Sequence, residues 1–265
     1  MVFACLTLLA FVVLFGRAGS TDRYFAWTIQ PPATAAFLGA AYAAGCVLVV
    51  LGLRRGTREA VWTPYVTILI FTVVTLAATV LHLDRFHFRS AGSIARLAAW
   101  LWLAVYVVVP VTMVASLLGR SGTDRPPERR PTRVPRLVAV LLAVQGVTFL
   151  GLGLVLFVVP ASERVLWPWP LTPLTARSVA AWLIAFGVGA LMALRTGDLA
   201  RLDVPAWSYA VLAVLQLVVL ARYPGEVRWT GLAAWAYVAV LVSILVNTGT
   251  ALRRLAADRR AAGSR

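Results

Sequence analysis

The sequence predicts an all-α integral membrane protein with eight transmembrane helices, built as two tandem four-helix repeats in parallel orientation. Three observations carry that expectation. First, 61% of the 265 residues are hydrophobic and only 13% are charged, whereas soluble domains keep the charged share near about a quarter. Second, the apolar residues gather into eight charge-free runs: 2–16, 33–53, 60–81, 97–118, 137–159, 178–194, 204–221 and 232–252. Third, part of the chain recurs at a spacing of 141 residues.

A hydrocarbon core takes about 20 apolar residues per helix, with a range of about 17–25. Seven runs meet that range, and the first falls just short. In lipid every backbone polar group must be satisfied within its own segment, so the runs are helices and not strands. The first run, with its small-residue tail, looks like a signal peptide but lacks the positively charged start such peptides carry. It is expected to be retained, and its shortness suggests a start further upstream. The second and sixth runs open on Pro32 and Pro173 with Thr34 and Thr175 close behind, and proline and threonine both suit a first helical turn. Small residues stack along these two runs (Ala36, Gly39, Ala40, Ala43; Ala180, Ala181, Ala185, Gly187, Gly189). Such stripes allow close helix approach, so the two helices are expected near a pseudo-axis, packed at the interface between halves. Pro64 and Pro205 fall near the starts of the third and seventh runs, where proline is tolerated. Pro110 lies deeper in the fourth and predicts a kink.

The repeat aligns 22–73 with 163–214 without a gap, with twelve identities. Those that carry weight are Arg23/Arg164, Pro32/Pro173, Arg54/Arg195, Gly56/Gly197 and Pro64/Pro205. "LAAW" then recurs at 97–100 and 232–235 after a shorter loop. Self-similarity of this kind marks a repeat architecture. Four helices per copy return the chain to its starting side, so the copies share one orientation and the pseudo-two-fold axis lies along the membrane normal. The domains are therefore residues 1–118, a Pro/Arg-rich linker 119–136, a second repeat 137–252 and a basic tail 253–265.

The net charge of +15 comes entirely from arginine. Sixteen of the 25 arginines fall on the side of the linker and nine on the other. The positive-inside rule then places both termini in the cytoplasm of a multi-pass plasma (inner) membrane protein. The expected partners are the bilayer itself, with anionic headgroups at the cytoplasmic face, and a membrane-protein partner under the subunit reading below; nucleic acid is not expected. Cys5 and Cys46 lie in apolar runs without C-x-x-C spacing, so they read as buried free thiols.

The outer loops hold one acid each, Asp22, Asp84, Glu163 and Glu226, with Arg23, Arg85, Arg164 and Arg228 close behind. Together with Trp27, Trp167 and Trp169 they outline an outer rim in which arginine could grip a polar or phosphorylated headgroup. The plainer reading is solvated local ion pairs, with the tryptophans at headgroup level. His82 and His87, the only histidines, flank Asp84 in "HLDRFHF". That spacing matches no metal signature, so no metal or cofactor is expected.

The spans carry no charge, and their polar residues, among them Gln145, Gln216 and Asn247, are neutral. The glutamines are expected to hydrogen-bond between helices; Asn247 could line a cavity, but near the cytoplasmic end a headgroup contact suffices. A buried proton relay is absent from this pattern. No phosphate loop, zinc motif or nucleophile elbow occurs. The functional expectation is binding or transport of a small amphipathic or lipid-like molecule. The alternatives are a non-catalytic subunit or assembly factor of a membrane complex, and an enzyme acting on a lipid-linked substrate at the outer face. The enzyme would need Asp84 or Glu226 beside His82 or His87. A cytoplasm-active reporter fused after residue 265 or within 119–136 should be active, and one inserted at 89–92 inactive; the reverse pattern would invert the topology.

Overall fold

The structure, a computed structural model, describes residues 2–55, 58–119 and 132–263. Most of the 119–136 linker, Gly56 and the last two residues of the tail lie outside the described residues. Eight main helices follow one another: α1 (Val2–Gly16), α2 (Pro32–Arg55), α3 (Arg58–Val80), α4 (Ser93–Leu118), α5 (Arg136–Val158), α6 (Pro173–Thr196), α7 (Asp203–Arg222) and α8 (Leu232–Gly263). Seven of the helices are long and apolar enough to cross a membrane. The eighth candidate is α1 with the turn after it, a pair bent by 91°. Among the described residues there is no strand, only two isolated bridges, Trp27–Phe86 and Arg133–Asp198. The chain is thus a multi-pass helical membrane bundle. Pro110 is accommodated within the continuous helix α4.

Local chemistry sets several boundaries. Thr172 and Thr175 form a reciprocal capping box at the start of α6, with Pro173 in its first turn, satisfying backbone N–H groups that the helix leaves without partners. The helix stops at Gly197, whose φ of 61° lies in the left-handed region glycine favours.

Helices α2 and α6 form the centre and are the most buried spans. Helix α1 packs on α2, and α5 packs on α6. Then the two halves interlock: α7 of the second half lies on α2, and α3 of the first lies on α6. Helix α4 leans on α3, and α8 leans on α7 and α5. The small-residue stripes work differently from the expectation. A Cβ on Gly39 would stand 2.7 Å from the Phe15 nitrogen of α1, and one on Gly187 would stand 2.6 Å from the Leu150 nitrogen of α5. Gly39 and Gly187 therefore seat each central helix on its own neighbour, while a Cβ on Gly189 would stand 3.0 Å from Thr67 of α3, across the two halves. Contact between α2 and α6 runs largely through aromatic rings, Tyr42 and Trp182 lying 5.1 Å apart.

Elements of the two halves stand at two spacings along the chain. The short helices Thr21–Tyr24 and Glu163–Leu166 lie 142 residues apart, as do the fully buried Leu14 and Leu156. From Pro32 and Pro173 onward the spacing is 141. The first half carries one more residue between Trp27 and Pro32 than the second carries between Trp169 and Pro173, so the gapless alignment begins only at these prolines. At the spacing of 142, Thr21 falls opposite Glu163. Their side chains accept from the equivalent backbone nitrogens of Ile29, at 2.9 Å, and Leu171, at 3.3 Å.

At the arginine-rich end, buried Asp203 accepts from both Arg55 and Arg259, the latter at 3.0 Å, clamping α2, α7 and α8 together. Cys5 is exposed and Cys46 half-buried, its thiol near the Ala4 carbonyl at 3.5 Å, so Cys5 is not the buried thiol expected.

Gly187→Ala should lower the thermal midpoint in detergent, with a loss of about 1–3 kcal/mol, because backbone atoms must move to admit the methyl. Gly151→Ala, whose methyl would meet nothing within 4 Å, is the matched control and should leave the midpoint unchanged or slightly higher.

Candidate functional site

The end of the bundle carrying the loops 17–31, 81–92, 159–172 and 223–231 holds the residues singled out from sequence. The four acids do different work there. Asp22 pairs with Arg23 at 3.8 Å and Asp84 with Arg85 at 3.0 Å, all four side chains well exposed. Glu163 is buried, bonded to Arg228 at 3.1 Å and to the Leu171 nitrogen. Arg228 also donates to the Arg164 carbonyl at 2.9 Å, while the Arg164 side chain is exposed. Glu226 accepts from the Ala33 nitrogen at 2.8 Å in the first turn of α2, where the helix dipole favours a carboxylate. Two acids thus sit in local pairs, and two bind loops and helices from distant parts of the chain.

The tryptophans are not presented to solvent: Trp27, Trp167 and Trp169 are 2%, 1% and 0% exposed. Each half folds its loop tryptophans beneath the loop against aromatics of its last helix. Trp27 meets Trp102 at 4.8 Å, and Trp167 and Trp169 meet Tyr237 at 5.5 and 5.6 Å. The Trp169 N–H reaches Thr34 at 3.0 Å, joining the second half's loop to α2. Ring area of this size is worth more buried than spread at a rim.

Both histidines are held by hydrogen bonds. His87 Nδ1 donates to the Phe25 carbonyl at 3.0 Å, and its Nε2 faces the Thr28 hydroxyl at 3.1 Å. His82 Nε2 receives Arg177 at 2.7 Å. A guanidinium can only donate, so this His82 nitrogen is unprotonated. Partial burial, and then the Arg177 charge, hold His82 below its ordinary 6.5. Arg177 lies near the start of α6, just before the charge-free run 178–194, and its Nε also donates to the Phe157 carbonyl at 3.1 Å. It thereby ties α6 to the end of α5 and to the loop after α3. No cluster of three metal-ligating side chains occurs among the described residues.

A cavity of about 280 Å³ lies between α1 and α4. Leu6, Ala10 and Val13 wall it on one side and Ala98, Leu101 and Val105 on the other. Tyr24 and Phe25 stand at its loop end, and Tyr42 and Tyr106 line its depth. The polar groups in its depth are engaged: the Tyr42 and Tyr106 hydroxyls bond each other at 2.5 Å, and Thr7 donates to Ala4 of its own helix at 2.9 Å.

In the second half, helices α5 and α8 are bolted together. Gln145 donates to Ser243 at 3.1 Å and accepts from Asn247 at 3.2 Å. Helices α1 and α4 carry no side-chain amide, and Thr112 of α4 bonds back to Val109 of its own helix. With no bolt, α1 and α4 stand apart and the cavity lies between them.

Asn247 is buried, not at a headgroup, and with Gln145 lines a smaller cavity of about 30 Å³, room for little more than a water. Gln145 and Gln216 bond between helices as expected, Gln216 donating to the Phe37 carbonyl at 3.1 Å. Sequence reading did not find the cavity or Arg177's partner. The one legible signal for the cavity was the absence of any amide on α1 and α4 opposite the Gln145–Asn247 pair.

No family model, curated protein or solved structure matches the chain.

His82 takes up a proton less readily folded than unfolded, so its contribution to stability is full above pH 6.5 and is lost as pH falls through its lowered folded value. The thermal midpoint should therefore drop on acidification below pH 6.5. His82→Gln, which can accept from Arg177 at any pH, should flatten that drop; an unchanged profile would assign it to other groups.

Proposed function

We propose that this protein binds or transports a small lipid-like molecule, held in the cavity between α1 and α4. One observation carries the reading: the opening falls where the bundle lacks the polar bolt its second half possesses. A lined slot among engaged polar groups suits hydrocarbon, and each buried methylene contributes about 0.8 kcal/mol. The loop end beside it is polar and arginine-bearing, as an amphipathic ligand requires.

The reading includes a duplicated architecture with a parallel pseudo-two-fold axis. The interlocked pairings of α2 with α7 and α3 with α6 support it, as does the shared carboxylate or hydroxyl acceptor at Glu163 and Thr21. It also places the protein in the plasma membrane with both termini cytoplasmic. The uneven distribution of arginine supports that orientation, and anionic headgroups are the natural contacts of the arginine-rich end. The exposed pairs Asp22–Arg23 and Asp84–Arg85 remain the rim residues open to a ligand headgroup.

A photoreactive fatty-acyl probe should label α1 and α4 of the wild-type protein in membranes. Ala98→Trp or Ala10→Trp, each filling the slot from one wall, should reduce that labelling about tenfold. Undiminished labelling in both variants would remove the cavity as the site.

A further inference from the structure

The depth and the mouth of this slot narrow the class of ligand, an inference that rests on the lipid-binding reading above. The lining residues run from Phe3 to Val13 on α1 and from Ile94 to Tyr106 on α4. At about 1.5 Å per residue the slot is roughly 15–18 Å long. That is about half of a hydrocarbon core of ~30 Å, the depth of one leaflet. Because Thr7, Tyr42 and Tyr106 are already hydrogen-bonded, the occupant's inserted part must be hydrocarbon.

The mouth supplies charge. Tyr24 lines the slot, and the guanidinium of exposed Arg17 lies 4.8 Å from the centre of its ring. Arg23 follows on the same short segment, opposed by Asp22 alone. Residues 17–23 therefore carry a net charge of +1 at the point where a lipid headgroup would leave the slot. Guanidinium is the side chain best suited to phosphate.

We infer that the slot takes one acyl chain of an anionic phospholipid from the leaflet at the loop end, with its net-negative headgroup on Arg17. The aromatic ring of Tyr24 fixes the guanidinium over the mouth, and the chain runs inward between Ala10 and Ala98 toward the tyrosine pair.

The test is native mass spectrometry of the full-length protein, delipidated and then exposed to micelles holding equal dioleoyl-phosphatidylglycerol and dioleoyl-phosphatidylcholine. The wild type should retain one lipid, with the anionic species favoured about fivefold, the effect of one arginine near a charged headgroup. Arg17→Gln should retain as much lipid in total but bring the ratio close to one. Ala98→Trp, or Ala10→Trp from the opposite wall, should retain neither lipid.

Equal retention of the two lipids by the wild type, or an undiminished preference in Arg17→Gln, would overturn the assignment of an anionic headgroup to Arg17 and leave the cavity as a lipid site. Undiminished lipid in both tryptophan variants would overturn the cavity itself. Displacement of the phospholipid by an equal amount of oleic acid would overturn the headgroup class, since a free fatty acid would then be the better ligand.

Discussion

The arrangement depends on backbone contact at glycine. Gly187 meets the α5 backbone at Leu150 and Gly146, and Gly39 meets the α1 backbone at Phe15. In lipid, helix association gains little from hydrophobicity and relies on close packing and interhelical hydrogen bonds. Two central helices drawn hard against their chain neighbours keep their other faces for α7 and α3, each from the opposite half. The interlocked bundle follows from that geometry. Polar fastenings then hold the ends, Asp203 with Arg55 and Arg259 at one and Glu226 with Ala33 at the other.

Against this shared plan the halves differ at one seam. The Gln145–Ser243–Asn247 bonds close α5 on α8, and an unsatisfied amide would be costly at that depth. Helices α1 and α4 carry no such amide, so they can stand apart at little polar cost. The bundle thus has one seam fastened by side-chain amides and one left open. The loops follow the same division. Glu163 is buried under Arg228, whereas Asp22 and Arg23 remain in solvent next to the open slot.

The spans were legible from sequence because the bilayer dictates their length and apolarity residue by residue. The partners of Gln145 and Gln216 were legible in kind, since a mid-membrane amide must find another polar group. Trp27, Trp167 and Trp169 were misread, because an indole suits both a headgroup layer and a packed loop, and only its neighbours decide between them. The acid–Arg pairs divide in a way sequence does not show: Asp22 and Asp84 pair locally, while Glu163 is buried against Arg228.

The sequence by itself determined that this chain is a multi-pass helical bundle with arginine gathered at one end. Hydropathy and charge act locally, and a single chain of residues displays both. Tertiary structure alone decided which helices touch, where Arg177 finds His82 and where a cavity is left. Those outcomes depend on contacts between residues far apart in the chain, 95 positions for Arg177 and His82 and 193 for Ala33 and Glu226, fixed by backbone contact at glycine when the helices pack.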